Sequence, residues 1–112
     1  METYDVHFLS EALDDLEEIV LYIAQDNQTA ALSMHDKIIK KTKDLMLFPK
    51  HGKLLLDKKM NAAGYRMLEV KPYIAFYRII DHNVFIYRVL HGATNYPMLY
   101  KNIERTDFEI KV

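Results

Sequence analysis

Polar and apolar residues alternate at the start of the chain. Tyr4, Val6 and Phe8 are apolar or aromatic, and a polar residue separates each from the next. A period of two residues is that of a strand with one buried side. The pattern therefore predicts a short N-terminal strand, either first in a sheet or at its edge.

Apolar residues then recur at helical spacing. The stripe consists of Ala12, Leu16, Ile19, Val20 and Ile23. Acidic residues fill the positions between them, and Ser10 stands where an N-cap is expected. We predict an amphipathic helix of about 15 residues that begins near Ser10.

A second helical stripe follows a polar break at residues 26–28. It consists of Ala31, Met34, Ile38 and Leu45, and Phe48-Pro49 ends it because proline cannot continue a helix. Since the break is short, the two helices are predicted to form an antiparallel hairpin. The connection that begins at Gly52 has no pattern that assigns its structure.

Three runs of β-branched and aromatic residues occupy the second half of the chain: Tyr65–Val70, Tyr73–Ile80 and Val84–Leu90. Short polar stretches separate them, which predicts a three-stranded antiparallel meander. The expected fold class is α+β, with a short N-terminal strand and an antiparallel helix hairpin packed on one face of a small antiparallel β-sheet. Neither repeats nor linkers divide the chain, so residues 1–112 are predicted to form one domain.

Two-residue loops would place Val70 opposite Tyr73 and Asp81 opposite Val84, which decides the face of every strand residue. One face then carries Leu68, Val70, Ala75, Ile79, Val84, Ile86 and Leu90, with Arg66, Tyr77 and Arg88 at one end. We expect this face to meet the helices. The other face carries Tyr65, Met67, Glu69, Ile74, Phe76, Arg78, Ile80, Phe85, Tyr87, Val89 and His91.

This other face is too apolar to remain in water, because large exposed apolar patches usually mark a binding surface. Its candidate partner-binding residues are Met67, Ile74, Phe76, Phe85 and Tyr87. The alternative is that the connection from Gly52 to Gly64, or the C-terminal tail, folds over the same face.

Composition narrows the classes of protein. The chain has no cysteine, which excludes disulfides and thiolate chemistry and favours a reducing cytoplasm. The five histidines are scattered without a ligand spacing, and the three glycines form no phosphate-binding loop, so neither a metal nor another cofactor is expected. The sequence has no apolar run long enough to span a membrane and nothing resembling a signal peptide at its start.

Charge is distributed unevenly along the chain. Residues 1–36 hold nine acids and no lysine or arginine, whereas residues 37–112 hold all fifteen basic residues and seven acids. Lys37, Lys40, Lys41 and Lys43 on the second helix are the best candidates for a surface that faces a polyanion or an acidic protein. An ordinary solvated helix face is an equally good interpretation.

Several short motifs occur in a specific order along the chain. They are Ala12-Leu13-Asp14-Asp15-Leu16, Phe48-Pro49 with Gly52, Gly64-Tyr65-Arg66-Met67-Leu68, Tyr73-Ile74 with Tyr77, and Arg88-Val89-Leu90-His91-Gly92. In this order and spacing the chain resembles the RelE/ParE superfamily of bacterial toxins, the toxic halves of type II toxin–antitoxin systems. The resemblance implies a cognate antitoxin, a toxin–antitoxin hetero-oligomer, and an antitoxin or target bound on the apolar face.

The superfamily divides by target. RelE-like members cleave mRNA on the ribosome with basic residues and a tyrosine, whereas ParE-like members inhibit DNA gyrase. Where RelE-like proteins carry two arginines, this chain has Ile74 and Thr94, and neither side chain stabilises phosphate charge. The ParE branch, with gyrase as the target, is therefore favoured.

The nuclease alternative requires a rearranged catalytic set. Arg78, His91 and Tyr100 are its candidates: a cation for the phosphorane, an imidazole that can act as general base or acid, and the family's tyrosine. The alternative interpretation is that Arg78 stacks on an aromatic neighbour across the strands and that His91 only hydrogen-bonds the backbone at a strand end. A third possibility is an inactive remnant that persists as an antitoxin-binding module.

Overall fold

The computed structural model describes residues 2–92, which form a five-stranded sheet and three helices. The elements are β1 (Asp5–Phe8), α1 (Ser10–Ala24), α2 (Gln28–Lys43), β2 (Lys53–Leu54), α3 (Lys58–Ala62), β3 (Tyr65–Val70), β4 (Tyr73–Ile80) and β5 (Asn83–His91). A short 3₁₀ turn, Asp44–Met46, follows α2. This arrangement confirms the predicted α+β class.

The two long helices form the predicted antiparallel hairpin, although one cap differs from expectation. Leu9 occupies the N-cap position of α1 and Ser10 is already helical, so the expected serine cap is wrong. Helix α2 does have a side-chain cap: the side-chain oxygen of Asn27 accepts a hydrogen bond from the backbone N–H of Ala30 at 2.9 Å. None of the helices in the described part of the chain is long and apolar enough to cross a membrane.

The strand order is β1-β5-β4-β3-β2. The meander β3–β4–β5 is antiparallel as predicted, and β1 lies at the sheet's edge, parallel to β5. Strand β2 pairs with β3 at the opposite edge and consists of only two residues. The N-terminal strand is therefore an edge strand, as its short alternating pattern indicates.

The register of β3 with β4 places Val70 opposite Tyr73, as predicted. Between β4 and β5 the loop is one residue earlier than expected, so that Ile80 rather than Asp81 begins the pairing, opposite Asn83. A β-bulge then interrupts the ladder: Tyr77 pairs with Ile86, but Phe76 pairs with Arg88.

The bulge corrects the predicted faces of the end of β5. An extra residue in one strand moves every later side chain to the other side of the sheet. Val89 therefore packs in the core beneath the helices, and Leu90 packs on the opposite face, the reverse of the prediction. His91, which lies opposite Tyr73, moves to the helix side with Val89.

The helix-covered side of the sheet, which we call the first face, holds the larger core. Its buried members are Ala12, Leu16, Ile19, Ile38, Leu45, Leu68, Val70, Tyr73, Ala75, Tyr77, Val84, Ile86 and Val89. The amphipathic stripes of α1 and α2 supply the helical members, as their spacing predicts.

The opposite side, which we call the second face, is covered by the chain itself. Leu55 and Met60, from the connection between β2 and β3, are buried against Tyr65, Phe76 and Tyr87. The alternative in which the Gly52–Gly64 connection folds over this side is therefore the one observed. Five buried residues form a second, smaller core there.

Candidate functional site

A hydrogen-bonded clamp holds the loop that follows α2. The hydroxyl of Tyr77 donates to the carbonyl of Pro49 at 2.7 Å and accepts from the N–H of Gly52 at 2.9 Å. Beside it, the guanidinium of Arg66 donates to the carbonyl of Gly52 at 2.7 Å. Since Arg66 and Tyr77 are direct partners across β3 and β4, the sheet positions both groups against the loop.

The clamp requires glycine at position 52. A Cβ atom there would lie 2.7 Å from the Tyr77 hydroxyl oxygen and 2.8 Å from the carbonyl oxygen of Met67, too close for any real contact. Burial raises the pKa of Tyr77, while the Gly52 N–H and the Arg66 charge lower it in part. The hydroxyl is therefore neutral at ordinary pH and serves as both donor and acceptor.

A buried ion pair ties α1 to β5. Asp15 is 7% exposed, and its carboxylate accepts from Arg88 Nε at 2.7 Å and from Arg88 Nη2 at 3.0 Å. The same carboxylate accepts from the backbone N–H of Val89 at 3.0 Å. Glu11 lies 3.7 Å from the Arg88 guanidinium, one turn earlier on the helix.

This pair has two consequences for the site. The hydrogen bond to Asp15 is the largest influence on Arg88, and with the neighbouring acids it raises the arginine's pKa despite partial burial. The bidentate geometry also holds α1 at the β-bulge, since Arg88 lies where the ladder shifts register. Arg88 is thus a structural cation that faces carboxylates.

An open groove lies beside this ion pair. It has a volume of 480 Å³ and is lined by acids and aromatic rings, among them Glu18, Tyr22, Tyr73 and His91. Tyr73 and His91 contact edge to face, with ring centroids 5.7 Å apart. Burial, followed by the nearby Tyr22, raises the pKa of Tyr73. The groove therefore presents aromatic rings and acidic side chains.

The candidates for a nuclease centre do not come together. Arg78 lies opposite Phe85 with its guanidinium carbon 5.1 Å from the centre of the Tyr65 ring, which places it on the second face. His91 lies on the first face, opposite Tyr73. Tyr73 and Arg78 are five residues apart on β4, which is a distance of about 17 Å along the strand. The expectation that these two share a face is wrong because of the bulge. Tyr100, the third candidate, lies outside the described residues, as do Thr94 and Tyr96.

The candidate partner-binding residues of the second face divide into two groups. Phe76 and Tyr87 are buried in the second core and are therefore not exposed to a partner, which corrects that part of the prediction. Met67, Ile74 and Phe85 are half-buried at the margin of this core, and their contact with a partner stays a prediction.

The four lysines of α2 are all exposed. Lys41 lines two adjoining grooves next to the clamped loop, and Lys37 lies one helical turn before it on the same side of the helix. Lys40 and Lys43 also stand in the last turns of α2, where positive charge complements the helix dipole.

Sequence reasoning did not identify Asp15 as the partner of Arg88. A signal was present, because Asp15 follows Ala12 by three residues and precedes Ile19 by four, which places it on the buried stripe of α1. A carboxylate on such a stripe needs a cationic partner.

Within residues 2–92, no three histidine and acidic side chains lie together in a way that could hold a metal ion.

A comparison with protein families now bears on this arrangement. The sequence model for the ParE toxin of the type II toxin–antitoxin system parDE matches residues 6–96. The chain belongs to the ParE toxin family. It is thus a member of the RelE/ParE superfamily, as its motifs indicate, and the match begins within β1 and extends past the end of β5.

Solved structures of toxin–antitoxin systems resemble this ParE-family chain. One, the chromosomal ParDE system from P. aeruginosa, has a TM-score of 0.65 and 21% sequence identity, with 81% of this chain and 98% of that chain covered. Another, the toxin–antitoxin complex RelBE2 from Mycobacterium tuberculosis, has a TM-score of 0.59 and 28% identity, with 84% and 97% covered. A comparison with curated protein sequences finds no match.

Proposed function

We propose that this ParE-family chain arrests growth by inhibiting DNA gyrase and that a cognate antitoxin silences it. The observation that carries the proposal is the ParE family match over residues 6–96. Inhibition of this kind requires a protein surface and no catalytic centre, so it needs no assembled set of acid and base groups.

The positions of the cationic groups support inhibition over RNA cleavage. Arg66 donates to the loop carbonyls, Arg88 is paired with Asp15, and Arg78 stacks on Tyr65. Cleavage by attack of a 2′-hydroxyl needs a base and a cation around one phosphate. Within residues 2–92, Arg78 and His91 are on opposite faces of the sheet, so they do not form such a pair.

The helix hairpin supplies an exposed apolar surface for the antitoxin. Leu13, Leu21, Tyr22 and Leu32 are each more than half exposed. Several large exposed apolar side chains on a pair of helices favour a protein partner. We propose this hairpin surface in place of the buried residues Phe76 and Tyr87, with the half-buried residues of the second face as secondary candidates. The structures named above as toxin–antitoxin complexes support an antitoxin partner.

Expression of the chain in a bacterial strain with an SOS reporter tests the proposal. Growth arrest with strong SOS induction is expected, because stalled gyrase leaves double-strand breaks in DNA. Co-expression of the short reading frame beside the toxin gene should relieve the arrest. Arrest without SOS induction would contradict gyrase inhibition, and normal growth would favour the inactive remnant.

Two variants separate gyrase inhibition from RNA cleavage. His91→Ala changes an exposed side chain, and Tyr100→Phe removes only a hydroxyl group. Gyrase inhibition predicts that both variants stay toxic. Loss of toxicity in both, together with new mRNA 5′ ends mapped by primer extension in a cell-free translation reaction, would establish the nuclease instead.

A further inference from the structure

The open groove beside the Asp15–Arg88 ion pair lies between the second half of α1, the start of β4 and the end of β5. Tyr22 and Tyr73 line it, and we call it the tyrosine groove. We propose that the tyrosine groove binds an arginine side chain from a basic peptide segment of a partner protein. The guanidinium stacks on the ring of Tyr22 and pairs with Glu18. The proposal does not depend on gyrase as the target.

The charge of the lining carries the first step. Among the described residues, the charged side chains that line the groove are Asp15 and Glu18, with neither lysine nor arginine beside them. Arg88 neutralises Asp15, because its guanidinium forms a bidentate pair with that carboxylate. The ion pairs of α1 within the described part of the chain join Arg88 to Glu11 and to Asp15, and Glu18 belongs to neither. The carboxylate of Glu18 is therefore available to a cation.

The helix beside the groove has the same sign of charge. Helix α1 carries five acids and no lysine or arginine, and its last turn, which contains Tyr22, has no basic residue. The carbonyl end of a helix is partially negative and is stabilised by a nearby cation. Several like charges along one side of a groove attract a ligand of the opposite charge. A basic segment is therefore favoured over an acidic one.

The aromatic and apolar lining favours arginine among the cations. The ring of Tyr22 is 72% exposed and lies one helical turn after Glu18, so an aromatic face and a carboxylate are neighbours at the groove. Ile19 and Val89 also line the groove and are buried. A guanidinium is planar, so it stacks on a ring while it donates to a carboxylate, and its alkyl stem covers apolar surface. The ammonium group of lysine is more strongly hydrated and has no flat face.

The test measures the binding of three labelled hexapeptides to the purified full chain by fluorescence anisotropy at low salt. They are hexa-arginine, hexa-lysine and an uncharged peptide of alternating leucine and glutamine. Hexa-arginine should bind about threefold more tightly than hexa-lysine and about tenfold more tightly than the uncharged peptide.

Three results of this comparison would overturn the proposal. Equal binding of the arginine and lysine peptides would mean general charge attraction. Tighter binding of the uncharged peptide would assign the groove to an apolar side chain. Undetectable binding of hexa-arginine would leave the groove without the proposed ligand.

A matched pair of variants locates the binding site. Glu18→Gln should weaken the binding of hexa-arginine about threefold, because it removes the carboxylate that the guanidinium pairs with. Glu17→Gln makes the same change of charge at the preceding exposed position, outside the groove, and should have little effect. Equal weakening by the two variants would place the peptide on the acidic helix in general and would contradict the site.

A second set of variants tests the stacking on Tyr22. Tyr22→Leu keeps an apolar side chain but removes the ring, so the preference for hexa-arginine over hexa-lysine should disappear. Tyr22→Phe keeps the ring and should keep the preference. An unchanged preference in Tyr22→Leu would contradict the stacking. Thermal unfolding of each variant checks the fold, and all three positions are exposed, so little loss of stability is expected.

Discussion

The two faces of the sheet are covered in different ways. The first face lies under two long helices, which together with the sheet bury thirteen residues in one cluster. The second face lies under the short helix α3 and the residues before it, and its cluster has five buried members. Both covers exclude water from aromatic residues, but among residues 2–92 the core under the first cover is the larger one.

The difference lies in what holds each cover in place. Helix α1 is fixed to the sheet by the buried pair of Asp15 and Arg88. Among the described residues, the second cover has a backbone bond to the sheet, from the N–H of Leu55 to the carbonyl of Tyr65 at 3.2 Å, and local bonds such as Asn61 to the carbonyl of Leu55 at 2.9 Å and the N–H of Met60 to Asp57 at 3.0 Å. A cover with a small core and local bonds should open before the whole protein unfolds.

The largest expected effect compares the two cores directly. Ile38→Ala, at a fully buried position beneath the helices, should cost about 4 kcal/mol, while Met60→Ala on the second face should cost about 2 kcal/mol, because a short segment can settle into the space. Urea unfolding at equilibrium measures both values. Equal losses would mean that the second core is as rigid as the first.

Removal of the ion pair tests the attachment of α1. Asp15→Ala leaves Arg88 and the N–H of Val89 without their acceptor and should cost about 3 kcal/mol. Glu17→Gln, at an exposed position two residues further along the same helix, is the control and should stay within about 0.5 kcal/mol. An Asp15→Ala loss no larger than that of the control would contradict the role assigned to the pair.

The clamp connects the two covers, since its loop leads from α2 to β2. Tyr77→Phe removes the acceptor of the buried Gly52 N–H and the donor to Pro49, for an expected loss of about 2 kcal/mol. Amide hydrogen exchange should also accelerate in residues 53–62 more than in α1. Uniform acceleration would mean that the loop does not control the second cover.

The smallest expected effect is a dependence on alkaline pH. Burial raises the pKa of Tyr77 above its ordinary value of 10.0, so folding favours the neutral hydroxyl. That stabilisation is complete below pH 10.0 and is lost as the pH rises through the folded value. Unfolding measured from neutral to alkaline pH should show a steeper decline for the native chain than for Tyr77→Phe, and parallel curves would contradict this assignment.

The sequence predicts most of the fold because periodicity reports burial. The helix hairpin, the three strand runs and the Val70–Tyr73 register are confirmed. The predicted end of α2 at Phe48-Pro49 is wrong, because α2 ends at Lys43 and Leu45 lies in the 3₁₀ turn that follows. The bulge in β5 could not be predicted, since Tyr87 and Arg88 continue the strand pattern without a glycine or another mark of an extra residue. One inserted residue was enough to separate Arg78 from His91.

The sequence leaves the cover of the second face open between a partner protein and the chain itself. Leu55 and Met60 are too far apart in sequence for a helical or strand period, so their burial depends on the path of the chain rather than on a local pattern. The clamp also depends on the path of the chain and not on a local sequence pattern. Gly52 belongs to a recognised motif, but its contact with Tyr77 spans 25 residues of sequence and depends on the sheet.

The most direct test of the central claim is a supercoiling assay with purified bacterial DNA gyrase, relaxed plasmid and ATP. Addition of the purified chain should stop supercoiling and leave cleaved plasmid, and prior incubation with the antitoxin should restore full activity. Unimpaired supercoiling at a molar excess of the chain would contradict the claim that this ParE-family protein acts on gyrase.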